Sequence, residues 1–221
     1  MIELISAILM AGSTAVTNQA APDLVALRVR AYADKHVDDA TVRPALKVAE
    51  HLLASAGLVV SWRVCEMAQS CPVEVTPIPE IVVILSSRDR QNGRENCGVA
   101  AHGARDSAGT VIVSVPCVAG VAFRLTRRPG TGTNPLLAMP RHDDLIGAIV
   151  AHEIGHLLGI RHAPAGLMRA SLETDDMIAL RRGKLRFSPA EAGRMRIAAL
   201  LAGEDLLLAS VAGSPPNSPR Q

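Results

Sequence analysis

Aromatic side chains are nearly absent: the 221 residues include one Trp, one Tyr and two Phe. A core must therefore be packed from Leu, Val, Ile and Ala, without the large rings that usually contribute most buried area. An excess of one charge is also missing. Lys and Arg number 23 against 21 Asp and Glu, a net charge of +2, and no long basic run occurs. That removes the electrostatic footprint of a nucleic-acid-binding protein. No stretch reaches the run of about 18 strongly apolar residues that a membrane-spanning helix needs. Internal repeats and heptads are lacking too, which excludes solenoids and coiled coils. With 48% hydrophobic and 20% charged residues, the chain is expected to fold, with enough length to bury a real core.

The ends read differently from the middle. Residues 1–22 carry one charge, Glu3, then an apolar stretch from Leu4 to Ala11 and small residues around Ala20 and Ala21. The pattern is that of a secretory signal without its positive n-region, or of an uncleaved apolar segment. The last residues, AGSPPNSPRQ, are a tail composition. The expected organisation is a segment 1–22, one domain over 23–205 and a disordered tail over 206–221. Four cysteines, Cys65, Cys71, Cys97 and Cys117, lack the CxxC spacing of structural zinc sites. They allow three disulfide connectivities, of which sequential pairing is the simplest, with four free buried thiols as the alternative. Disulfides and a signal together point to a secreted or periplasmic protein.

Alternating or β-branched runs predict strands at 24–33, 58–64, 81–86, 98–102 and 110–115. A helix capped by Asp39 or Thr41 runs to a stop at Gly57. Residues 116–142, rich in Pro, Gly and Arg, read as a loop. DDLIGAIVAHEIGHLLG (143–159) has a helical apolar period, an acidic start and a glycine stop. Ser188-Pro189-Ala190-Glu191 places an N-cap, a first-turn proline and a capping-box glutamate before a final helix. The fold class is α+β: a single domain with a twisted mixed sheet and a later pair of helices.

Residues 152–162 read HEIGHLLGIRH, an HExxHxxGxxH pattern. On a helix His152 and His156 lie one turn apart on one face, so both imidazoles reach one ion. Glu153 stands beside the first ligand, close enough to act on a water without binding the metal. Gly159 lets the chain leave the helix and turn back to present His162. Three imidazoles leave a tetrahedral zinc with one open position, the arrangement of a catalytic site. The full pattern arises by chance in roughly 2 of 100,000 sequences of this composition, against about 1% for HExxH alone.

The long motif followed by a methionine six residues on, in Ala165-Gly166-Leu167-Met168, resembles the metzincin clan of zinc metalloproteases. GLMRA and FSPAEAGRMR are similar to uncharacterised bacterial putative metalloproteases, and the likeness covers about residues 143–200. The resemblance implies a metzincin-like domain with an active-site helix and C-terminal helices, and Met168 as the hydrophobic base beneath the metal. It also implies an upper edge strand for substrate at Gly98, Val99 and Ala100. The chain departs from the pattern in its short APAG link and in Arg169, where some families place a tyrosine. NCGVA (96–100) is similar to the cysteine switch of matrixin propeptides but falls among the strands, where a disulfide cysteine is the simpler reading.

The expected activity is a zinc endopeptidase with one catalytic Zn2+, in which Glu153 is the general base that activates the attacking water. Its partner is a peptide or protein substrate, with no nucleic acid, no transmembrane span and a monomeric state. The alternatives are a zinc-binding interaction module without hydrolysis and a narrow-specificity peptidase for short peptides. His36, His51, His102 and His142 read as surface histidines, Trp62 as core, and Arg181, Arg182, Lys184 and Arg186 as a solvated basic face.

Overall fold

A computed structural model describes residues 24–67, 71, 78, 80–89, 96–103, 109–126 and 140–212. The expected signal segment, the centre of the Pro/Gly-rich stretch (127–139) and residues 213–221 lie outside them. The elements run β1 (Val25–Ala33), α1 (Asp39–Ala54), β2 (Leu58–Glu66), β3 (Glu80–Ser86), β4 (Gly98–Ala101) and β5 (Gly109–Ser114). Then follow α2 (Val115–Thr126), α3 (His142–Leu157), α4 (Thr174–Arg181) and α5 (Pro189–Ala212). The backbone of α5 thus continues beyond the domain boundary expected at 205.

The five strands form one mixed sheet in the order β2-β1-β3-β5-β4. Four are parallel, and β4 alone is antiparallel, paired Gly98↔Val113 to Ala101↔Thr110. Alternation along the strands buries Leu27, Val29, Ile81, Val83, Leu85, Val111 and Val113. These join one core with Val42, Ala45, Leu46, Ala49, Leu52 and Leu53 of α1 and Ile146, Val150 and Ile154 of α3. The core is aliphatic, as the scarcity of rings requires. Helices α1 and α3 cross at Gly147, where an added Cβ would stand 2.4 Å from the Ala45 carbonyl oxygen and 2.7 Å from Val48 Cβ. Only a bare Cα permits that approach.

The helix ends match their chemistry. Asp38, one residue before the expected cap, accepts the Thr41 N–H at 2.7 Å. Ser188 and Glu191 exchange hydrogen bonds as a capping box at the start of α5, at 2.7 and 3.3 Å. Two expectations are corrected. Residues 115–126 are helical instead of looped: Ser114 Oγ accepts the Cys117 N–H, Pro116 falls in the first turn where it is tolerated, and Val118 is buried with Val121 and Ala122 packed alongside. The short helix α4 is an addition, with Asp175 and Asp176 in its first turn and Met177 and Leu180 buried.

Disulfides join Cys65 to Cys71 and Cys97 to Cys117, the sequential pairing. The second ties the start of β4 to the first turn of α2. Paired cysteines fit an oxidising compartment. No helix among the described residues is long and apolar enough to cross a membrane.

Candidate metal centre and its cleft

Helix α3 ends where a C-terminal glycine motif predicts. Gly159 takes φ +76, its N–H donates to the His156 carbonyl, and the Ile160 N–H donates back to Gly155. This is the paired hydrogen-bond pattern of a Schellman cap. The cap has a second effect: it turns the Ile160 carbonyl toward His156, whose Nδ1 lies 2.7 Å from it. His152 Nδ1 lies 2.8 Å from the Leu167 carbonyl. A carbonyl can only accept, so each Nδ1 carries the proton and each Nε2 presents a lone pair.

The third imidazole arrives from the turn beyond the helix. His156 Nε2 and His162 Nε2 are 3.1 Å apart, and one ligand nitrogen from each of His152, His156 and His162 lies within 4.8 Å of the others. Two nitrogens on one tetrahedral zinc, with bonds near 2.0–2.1 Å, sit about 3.3 Å apart. The donor set fits zinc: three neutral imidazoles, two of them oriented by carbonyls as metal-binding histidines usually are. Burial, opposed by the Leu167 bond and reinforced by its neighbouring histidines, lowers the His152 pKa to about 4. That ring is therefore neutral and able to bind a metal at neutral pH.

Beneath the helix, Met168 is fully buried. Its turn is fastened on both sides, by Ala163 N–H to the Met168 carbonyl at 2.8 Å and by Leu167 N–H to the Arg186 carbonyl at 3.1 Å. Arg169 spans the same turn, donating through Nε to the Pro164 carbonyl and through Nη1 to Asp176, both at 2.9 Å. It also pairs with Glu173 at 3.0 Å. Arg169 thus ties the link after His162 to the start of α4.

Glu153, one residue after the first ligand, is 8% exposed. Burial raises its pKa, against the pull of His156 and of a hydrogen bond from the Ala100 backbone N–H. The site opens into a cleft of about 340 Å³. Its walls include His152, Glu153, His156 and His162 together with Gly98 and Val99 of the edge strand. Val118 and Val121 of α2, Leu145 and Ile149 of α3, and Leu172 and Met177 make its apolar side.

The structure therefore brings together His152, His156 and His162, lines one cleft with them, Glu153 and the start of β4, and buries Met168 against Gly155 of the same helix. Cys97 is disulfide-bonded and unavailable as a metal ligand, and the described residues include no free cysteine. His36, His51 and His102 are exposed, while His142 is half-buried with Nε2 3.3 Å from the Val115 carbonyl. Sequence reasoning missed the α2 wall, because Pro116 and Gly120 were read as loop signals. It also missed α4 and the tether through Arg169.

No family model matches the chain, and no curated protein matches it. Among solved structures, it is similar to metalloproteinase-II from Bacteroides fragilis, with a TM-score of 0.49 and 12% identity, over 82% of this chain and 55% of that one. It is also similar to archaemetzincin from Methanopyrus kandleri, with a TM-score of 0.44 and 15% identity, over 78% of this chain and 94% of that one. The chain thus spans about half the length of the Bacteroides protein.

Proposed function

We propose that the protein is an exported, metzincin-like zinc endopeptidase acting as a monomer on peptide or protein substrates. One observation carries the reading: three imidazoles converge beside a buried carboxyl in an open cleft, and two of them are oriented by backbone carbonyls. His152, His156 and His162 would hold one zinc ion. Bound there, zinc supplies a Lewis acid that polarises a carbonyl oxygen and lowers the pKa of water.

The remaining work falls to the chain. Glu153 takes the proton from the attacking water and returns it to the departing amine. Burial raises its pKa, and a carboxyl shifted in that direction is a better proton acceptor than an exposed one. The outward edge of β4 offers backbone groups to an extended peptide, which would add to the sheet as a further antiparallel strand. The apolar wall of the cleft favours a large aliphatic or aromatic side chain on that peptide. Met168 supports the histidines from below, and two disulfides favour a secreted or periplasmic setting.

The test is Glu153→Ala, assayed with zinc content on the same sample. The expected result is wild-type zinc and a rate reduced about 10²–10⁴-fold, the usual contribution of a general base. Cleavage of a denatured protein at the wild-type rate by this variant would remove the assignment. If the wild-type protein holds zinc and cleaves nothing in a peptide library, it is a binding module instead.

A further inference from the structure

Edge strand β4 lies against the buried carboxyl as well as along the cleft. The Ser114 N–H donates to the Cys97 carbonyl at 2.8 Å, so the hydrogen-bonding groups of residue 97 face β5. Alternation along an antiparallel strand then turns those of Val99 and Ala101 toward β5 and those of Gly98 and Ala100 outward. The outward Ala100 N–H lies near enough to the Glu153 carboxyl to pull its pKa down against the effect of burial. At Gly98 the approach is closer still. An added Cβ would stand 2.5 Å from Glu153 Oε1, 2.8 Å from its Cγ and 2.7 Å from Ile149 Cγ2. Gly98 is not among the glycines with positive φ. Its backbone would accept any residue; the space beside it would not.

We propose that Gly98 and Ala100 are positioning residues for Glu153, the first by leaving room for the carboxylate between β4 and α3, the second by fixing its direction with an outward N–H. The proposal rests on the reading of Glu153 as the general base. It has a consequence for substrate binding. The Ala100 N–H is committed to Glu153, so a paired peptide is left with the N–H and carbonyl of Gly98 and the carbonyl of Ala100.

Two substitutions separate the elements. Gly98→Ala puts a methyl into the carboxylate's space. Ala100→Pro removes the donor while sparing the ladder to β5, since an edge strand accepts proline where its N–H points outward. Turnover of a denatured, fluorescently labelled protein, zinc content and thermal midpoint are measured for each, in the wild-type and Glu153→Ala backgrounds. In the wild-type background each is expected to lower kcat at least tenfold, with zinc unchanged and KM within about threefold. In the Glu153→Ala background neither should lower the residual rate further. Equal losses in both backgrounds would mean that the strand acts independently of Glu153, and the proposal fails. It fails alone if Glu153→Ala is inactive while both edge-strand variants keep the wild-type kcat. If Glu153→Ala is itself fully active, the functional reading falls and takes the proposal with it.

Discussion

Met168 lies directly under Gly155: a Cβ added to that glycine would stand 2.7 Å from the methionine sulfur and 3.2 Å from Phe187. The residue just before His156 is thus small because the methionine of the following turn fills the space beside it. Helix propensity alone favours Gly155→Ala by about 1 kcal/mol, whereas overpacking a closed core costs about 1–3 kcal/mol. The expected sum is a net loss of about 0–2 kcal/mol, read by urea unfolding. A gain in stability would show that Met168 yields freely to the added methyl.

Gly147 and Gly193 make a matched pair on two helices. At Gly147 a methyl meets the Ala45 carbonyl oxygen and Val48, backbone and side chain of α1 that cannot both retreat. Gly147→Ala should destabilise by about 2–3 kcal/mol despite its better propensity. At Gly193 nothing lies within 4 Å of an added Cβ, so Gly193→Ala should stabilise by about 0.5–1 kcal/mol. Denaturant midpoints of the two variants should move in opposite directions.

The metal-free protein should weaken on mild acidification. His152 is held neutral in the fold, with its pKa lowered to about 4 from an ordinary 6.5. Below pH 6.5 the unfolded chain binds the proton and the folded chain does not, so stability falls as pH drops toward 4 and then levels. The loss is on the order of 1–3 kcal/mol. Urea unfolding of chelator-treated protein at pH 7 and pH 4.5 measures it, and His152→Asn should remove this part of the slope.

The Cys97–Cys117 bridge closes a separation of 20 residues and ties the edge strand to α2. Replacing both cysteines with serine should cost about 2–4 kcal/mol. It should also raise KM, because Gly98, Val118 and Val121 share the cleft wall. A variant as stable as wild type would mean that the β4–α2 corner is held by packing alone.

The strands and the three long helices were legible because each has a strong local signature. Alternation marks β1, a β-branched run marks β3, an aspartate at the start of α1 signals its cap one residue from Asp38, which makes it, and Ser188 with Glu191 opens α5. The α2 helix was not legible, because Pro116 and Gly120 carry loop signals that hold only in isolation. Its order comes from burying Val118 and from the bond between Cys117 and Cys97, neither of which a local window contains. Helix α4 was short enough for its acidic first turn to pass unread.

The amino-acid sequence by itself determined the metal-ligand pattern, since the helical period places His152 and His156 on one face and Gly159 forces the turn toward His162. It also determined the aliphatic core, whereas the pairing of the cysteines was fixed by the fold. Only the tertiary structure decided which nitrogen each histidine presents, because the Leu167 and Ile160 carbonyls that orient the rings are positioned by turns outside the helix. It likewise decided where Glu153 sits: the strand that receives the carboxylate ends more than 50 residues earlier in the chain. Contacts of that range depend on sheet order and helix packing, and no local spacing encodes them.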